Sequence, residues 1–254
     1  MSEFVIKKVG KQPVIKDAVL VEGLPGIGNI ARLSVDYLID KLGAEKIIEI
    51  YSDVFPNSVT ITDDSVIQMF NAELYHARVN NRDLLFLAGD VQPTSNDESY
   101  ALCTKIIELV KGLGVKEVVT LGGIGLPENP AKTRVHAVVN DDSVRGSLKS
   151  LGLVFDGNET VKVILGVTGL LLGVAGLKGL KGFSLLAETL NQPGHVGVKE
   201  AREVLKVLTK HLGFELDFND LDDEIKSFEQ ELSDEAAMSD KFSNEMISKR
   251  GYIG

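Results

Sequence analysis

The chain has 254 residues, long enough for one large α/β domain or two small ones, and 44% of them are hydrophobic, so a sizeable core is within reach. A single cysteine, Cys103, excludes an internal disulfide and fits a reducing cytoplasm. The net charge of −10 is concentrated at one end: residues 215–254 carry 12 acidic and 4 basic side chains, which leaves a nearly neutral body. Such a balance speaks against nucleic acid, whose phosphates need a basic surface.

In chain order, Ala18–Val21 is expected as a buried strand, followed by a glycine-rich turn and a helix over Asn29–Leu42, with Ile30, Leu33, Tyr37 and Leu38 at helical spacing. Lys46–Tyr51 follows as a strand. Val59–Thr62, Val66–Phe70 and Leu74–Val79 are expected as a meander, turned at Asp63-Asp64 and Asn80-Asn81. Asp83–Ala88 is a strongly apolar strand. Ser95 and Glu98 match a capping box that opens a helix running to about Leu113, with Gly114 as its stop. Glu117–Leu121 is a further buried strand that runs into Gly122-Gly123-Ile124-Gly125. Arg134–Val139 reads as a strand, Asp141–Leu151 as a helix capped by Asn140 or Asp141, Leu180–Glu188 as a late strand, and Val198–Leu212 as a helix ended by Gly213.

Strands interleaved with helices predict a single α/β domain over residues 1–214, with a mixed, mostly parallel central sheet covered by helices on both faces. Residues 215–254 are expected as an acidic helix and tail, with Leu221, Ile225, Phe228 and Leu232 forming one stripe of an amphipathic helix over Asn219–Leu232. The longest apolar run, Val163 to Leu177, is interrupted by glycines and shorter than the roughly 20 residues of a bilayer span. The first residues lack the charged start and apolar stretch of a signal peptide, so a soluble cytoplasmic protein is expected, without membrane contact.

Gly26, Gly28 and Ala31 fit the spacing G-x-G-x-x-A of a dinucleotide turn, and Glu49 stands 21 residues after Gly28, where such a turn wants a ribose-binding acid. Against this, Leu24-Pro25 lengthens the turn, and Glu22 sets a negative charge beside the phosphates. The plain alternative is a strand-to-helix corner that needs glycine at positive φ. Gly123 and Gly125 belong to a second glycine-rich corner, at 122–127. Together with 23–29 (Gly26, Gly28, Asn29) it defines a possible ligand loop for a nucleotide- or nucleoside-binding enzyme. No phosphate loop, zinc motif or serine elbow is present, and no metal ligand set or catalytic residue is assigned. The four histidines are scattered, and Cys103, inside the capped helix, reads as a small core hydrophobe. From Gly166 to Gly182 glycines recur every three or four residues; close packing within the molecule is the favoured reason, a subunit interface the second.

The stretches LVEGLPGIGNIARL, YSDVFPNSV and TLGGIGLPENP resemble the proteasome assembly chaperone family in its archaeal branch, and the similarity extends over about residues 15–215. The resemblance implies an α/β fold similar to purine nucleoside phosphorylases, no established catalytic machinery, and homo-oligomers that engage proteasome core subunits; no cofactor is expected. It also draws attention to the chain end. Proteins that dock on the proteasome core often end in hydrophobic-Tyr-any residue. Here Tyr252, Ile253 and Gly254 place the tyrosine one position early, as candidate partner-binding residues.

Overall fold

The computed structural model describes residues 2–155, 160–218, 221 and 223. The helix expected over Asn219–Leu232 and the chain-end residues Tyr252, Ile253 and Gly254 lie outside the described residues, save for Leu221 and Asp223. The compact body ends at Leu216.

Its strands are β1 (Phe4–Lys8), β2 (Ala18–Glu22), β3 (Glu45–Ser52), β4 (Val59–Ile61), β5 (Ile67–Met69), β6 (Ala72–Val79), β7 (Arg82–Gly89), β8 (Val115–Leu126), β9 (Val135–Val139) and β10 (Lys181–Leu190). Its helices are α1 (Ile30–Lys41), α2 (Asn96–Gly112), α3 (Asp142–Leu148), α4 (Gly166–Leu177) and α5 (Val198–Leu212). Eight strands form one mixed sheet in the order β1-β3-β6-β7-β2-β8-β10-β9. The centre, β7-β2-β8-β10, is parallel. The flanks are antiparallel: β1 on β3, β3 on β6, β6 on β7, and β9 on β10.

The burial of the parallel centre is what makes its sequence continuously apolar. All five residues of β2 are buried, and so is Asp83–Ala88 in β7. Helices α2 and α4 pack on one face and on each other, and α1 and α5 pair on the other. In α2, Leu102, Cys103, Ile106, Ile107 and Val110 are buried at helical spacing. Its start is a complete capping box: the Glu98 amide donates to Ser95 Oγ at 3.3 Å, and the Ser95 amide donates to Glu98 Oε2 at 3.1 Å. The Asn80-Asn81 turn between β6 and β7 takes positive φ at both residues, as a two-residue type I′ turn requires. The segment expected as a helix over Asp141–Leu151 is α3 plus a 3₁₀ turn at Lys149–Leu151. It is capped by Asp141, which accepts from the Ser143 amide at 2.9 Å.

Three features differ from the expectation. β8 runs on as strand through Gly122-Gly123-Ile124-Gly125 to Leu126, paired with β10, where a glycine-rich corner was expected. Phe4–Lys8 forms an edge strand, with Phe4 and Ile6 turned toward the core while Val5 is exposed. The expected meander is not continuous. β4 and β5 pair only with each other, as a separate two-stranded hairpin, and β6 alone joins the main sheet. Val59, Ile61, Ile67 and Met69 alternate correctly for strands but no second layer among the described residues buries them, so strand patterning alone misplaces them.

Candidate functional site

The first glycine corner meets the glycine-rich end of β8 at the carboxyl edge of the parallel strands, where open α/β sheets most often hold ligands; the second corner expected at 122–127 is strand up to Leu126, because it pairs with β10. β2 ends at Glu22, paired with Thr120, while β8 continues through Gly122 to Leu126 alongside β10. The chain leaving β2 turns through a 3₁₀ segment, Ile27–Asn29, and Gly28 and Asn29 both take left-handed φ before α1 begins. Gly28 and Asn side chains are the residues that accept this conformation at least cost.

Close approach explains the other glycines better than a ligand does. A Cβ on Gly23 would collide with the Val35 side chain and lie 2.6 Å from the Ala31 carbonyl, so this glycine lets α1 sit against its own strand. One on Gly123 would lie 2.7 Å from the Ile27 carbonyl, and one on Gly125 would lie 2.9 Å from Asn191 Cβ. Gly26 has open space, with only Gln92 within reach. The corner is therefore locked to the end of β8 through Ile27 and Gly123, and the Gly197 amide ties Gly28 to the start of α5 by donating to its carbonyl at 2.8 Å.

A cavity of about 470 Å³ remains between the corner, the end of β8 and the N-terminus of α4. Its walls include Gly26, Ile27, Gly123, Gly125, Ile164 and Leu165, and among the described residues no charged side chain lines it. Gln92, which follows β7, closes one side. Its Nε2 donates to the Pro25 carbonyl, and its Oε1 accepts from the Val167 amide at 2.9 Å. The side chain thus bridges the first corner to the otherwise uncapped start of α4. Replacing Gln92 with alanine is expected to lower stability in urea unfolding by about 2 kcal/mol, because two partly buried main-chain groups lose their partner. A loss below about 0.5 kcal/mol would show that water takes over both bonds at no cost.

Glu22 lies behind this wall. It is fully buried; the Leu24 amide donates to its Oε1 at 2.9 Å, and Oε2 has no hydrogen-bond partner among the described residues. Burial pushes its carboxyl up to about 7, against the opposing pull of the Leu24 amide. Thr168 donates to the Leu121 carbonyl at 3.2 Å. Burial, and next to it the Glu22 charge, also pushes the Cys103 thiol up to about 12, so this cysteine is an inert core side chain.

The remaining polar groups near this edge are occupied by structure. Glu188 accepts from Arg134 at 2.6 Å and from His136 at 2.9 Å, which holds its carboxyl below the usual range although burial opposes it. His195 Nε2 lies 3.0 Å from Thr189 Oγ1. Asp90 pairs with Arg32 at 3.0 Å, and Glu98 serves the capping box.

The dinucleotide geometry fails at Glu49. In a dinucleotide fold the ribose-binding acid ends the strand next to the glycine turn. Here β3, which carries Glu49, is separated from β2 by β6 and β7. Glu49 is held instead by Lys7 at 2.9 Å and Lys46 at 3.0 Å, hydrogen bonds that pull it down to about 2. The linear spacing was right for a fold in which β3 follows β2 in space; the β6–β7 hairpin inserted between them removes that neighbourhood.

The long glycine run is not one packed face. Gly169 and Gly176 in α4 are approached by Ile164 and Asn140, while Gly173 faces open space. Gly179 takes positive φ just past the helix, and Gly182 is in β10, where a Cβ would collide with the Val118 carbonyl.

Known proteins share this architecture over nearly the whole chain. The PAC2 family model matches residues 20–236. An uncharacterised protein of Methanocaldococcus jannaschii is 30% identical over 250 residues, 97% of this chain and 92% of that protein. The crystal structure of Pyrococcus furiosus PbaB, described as an archaeal proteasome activator, is 34% identical with a TM-score of 0.83, covering 92% of this chain and 99% of that one. Pyrococcus furiosus PbaA, described as an archaeal homolog of proteasome-assembly chaperone, shares the fold with a TM-score of 0.72 at 23% identity, over 91% and 95% of the two chains. The Glu22–Asn29 corner and the sheet built around it are thus features of a protein that belongs to the PAC2 family.

Proposed function

We propose that this protein is a non-enzymatic chaperone or scaffold of the cytoplasm that self-associates and binds proteasome core subunits. The observation that carries the reading is similarity over almost the full length, at 34% identity, to a protein described as a proteasome activator. The site supports it from the chemical side. At the carboxyl edge Gly23, Gly123 and Gly125 serve close packing, Gln92 bridges two segments, and the buried Glu188 is engaged by Arg134 and His136. In this reading the body shields a subunit surface, and the acidic segment 215–254, ending in Tyr252, Ile253 and Gly254, acts as a tether.

The test is solution mass and affinity measured with purified α subunits of the proteasome core. Binding by the full chain is expected, weakened at least about tenfold by deletion of residues 235–254. Unchanged affinity after deletion removes the tether from the proposal, and a chain that ignores the subunits altogether overturns it. Mixing with preassembled cores as well as free subunits separates assembly from activation, the role given to PbaB.

The cavity of about 470 Å³ supports a second reading, a nucleotide- or nucleoside-binding enzyme that uses Gly26, Gly123 and Gly125, which line it; Gly28 and Asn29, the other residues of the expected ligand loop, are not among its lining residues. Thermal denaturation with millimolar nucleosides, nucleotides and phosphate tests it, since a ligand of the native state must raise the melting temperature.

A further inference from the structure

β8 outruns the strand beside it. β2 ends at Glu22, opposite Thr120, while β8 continues from Leu121 to Leu126 with β10 along its other edge. On the β2 side no described strand pairs with this stretch. Two hydrogen bonds show which groups turn that way. The Leu126 carbonyl accepts from the Asn191 amide, just past the end of β10, at 2.8 Å. The Leu121 carbonyl accepts instead from Thr168 Oγ1, in α4, at 3.2 Å. In a parallel ladder the amide and carbonyl of one residue face the same neighbour, and successive residues alternate. Gly122, Ile124 and Leu126 therefore face β10. Gly123 and Gly125 turn their amides and carbonyls to the open side, and both line the cavity of about 470 Å³.

We infer that this strand edge reads a nucleobase, one of the aminated type represented by adenine and cytosine. The Gly123 carbonyl and the Gly125 amide stand side by side on the open edge, an acceptor next to a donor. An aminated base carries the complement, an amino donor beside a ring-nitrogen acceptor. Proteins read an isolated base in this way, by hydrogen bonds along its Watson–Crick edge with apolar side chains against its faces. The walls supply the apolar contact. Ile27, from the corner, and Val163 and Leu165, ahead of α4, line the cavity while 46%, 74% and 85% exposed. A flat ring against them removes apolar surface from water. The volume lies within the range of small-molecule sites. A peptide strand could use the same edge, but Gly123 and Gly125 are too short a run for the main-chain bonding by which an added strand gains its affinity. The inference rests on the second, ligand-binding reading above and names the part of the ligand that the cavity recognises.

The experiment titrates the full chain with adenosine and cytidine by calorimetry, beside N,N-dimethylated adenosine, ribose 5-phosphate and the neutral peptide acetyl-dialanine amide. At least one of the two nucleosides is expected to bind and to raise the melting temperature. Dimethylation of the amino group keeps the ring and removes the donor, and is expected to weaken adenosine at least about tenfold, because the Gly123 carbonyl then loses its partner. Gly26→Leu fills the cavity from a position of extended backbone, φ −159°, with open space around its Cβ, and is expected to weaken binding by as much. Ile27→Ala removes an apolar wall and repeats the test should Gly26→Leu fail to fold. Dimethylated adenosine binding as tightly as adenosine overturns the inference, and so does binding that neither variant alters. Ribose 5-phosphate binding as tightly as the nucleosides also overturns it, while leaving the second reading in place. The peptide binding where both nucleosides fail overturns it in favour of an added strand. No response to any nucleoside, nucleotide or phosphate at millimolar concentration removes the inference and the second reading together.

Discussion

Replacing Glu22 with glutamine is expected to stabilise the protein at pH 8 by about 3 kcal/mol and to change it little at pH 4.5. Burial holds the native carboxyl at about 7, well above its ordinary value of 4.5, so the folded protein binds this proton more tightly than the unfolded chain does. Stability from the group is therefore fully present below about pH 4.5 and is lost as the pH rises through 7. Above that, each folded molecule holds an ionised carboxylate whose Oε2 has no hydrogen-bond partner among the described residues. Glutamine keeps an oxygen for the Leu24 amide and removes the titration. The measurement is urea unfolding of both proteins at pH 4.5, 6 and 8, read as the difference between them so that other carboxylates cancel. A difference that does not grow with pH, or a variant less stable at pH 8, would show that Glu22 is not buried in this way.

The second large effect divides the glycine run. Gly182→Ala is expected to cost about 3 kcal/mol or more, because its new methyl group would enter the Val118 carbonyl inside the β8–β10 pairing, where neither backbone can retreat. Gly173→Ala, nine residues earlier, is expected to stabilise by about 0.5–1 kcal/mol: it lies inside α4, has open space, and gains the helix propensity of alanine. Chemical denaturation of both variants tests the pair. If the two changes have the same sign, the run is a uniform packed face and its assignment to separate roles fails. A destabilising Gly173→Ala alone would point to something seated on that part of α4.

Much of the fold was legible because local rules and tertiary structure agree. The Ser95–Glu98 box begins α2, Asn80-Asn81 turns β6 into β7, and the uninterrupted apolar runs of β2 and β7 mark strands buried on both faces. The Glu22–Asn29 corner was recognisable because its glycines, Pro25 and Asn29 carry family identity as well as geometry. What misled was neighbourhood. Glu49 had the right distance along the chain for a ribose and the wrong strand position in the sheet. The glycines from 166 to 182 shared a spacing yet entered a helix, a turn and a strand, each with its own steric reason. Val59–Met69 alternated like core strands while nothing described covers them.

The sequence by itself determined the α/β class, the parallel apolar centre, the caps and turns that bound its helices, and the family. These rest on contacts between residues close along the chain, or on patterns with a single stable solution. Only the tertiary structure decided that β6 and β7 stand between Glu49 and the glycine corner, that Gln92 joins that corner to α4, and that Glu22 is sealed behind Thr168 and Leu121 with its proton held to about pH 7. Strand order and burial are set by which distant segments exclude water from one another, and spacing along the chain carries no record of that choice.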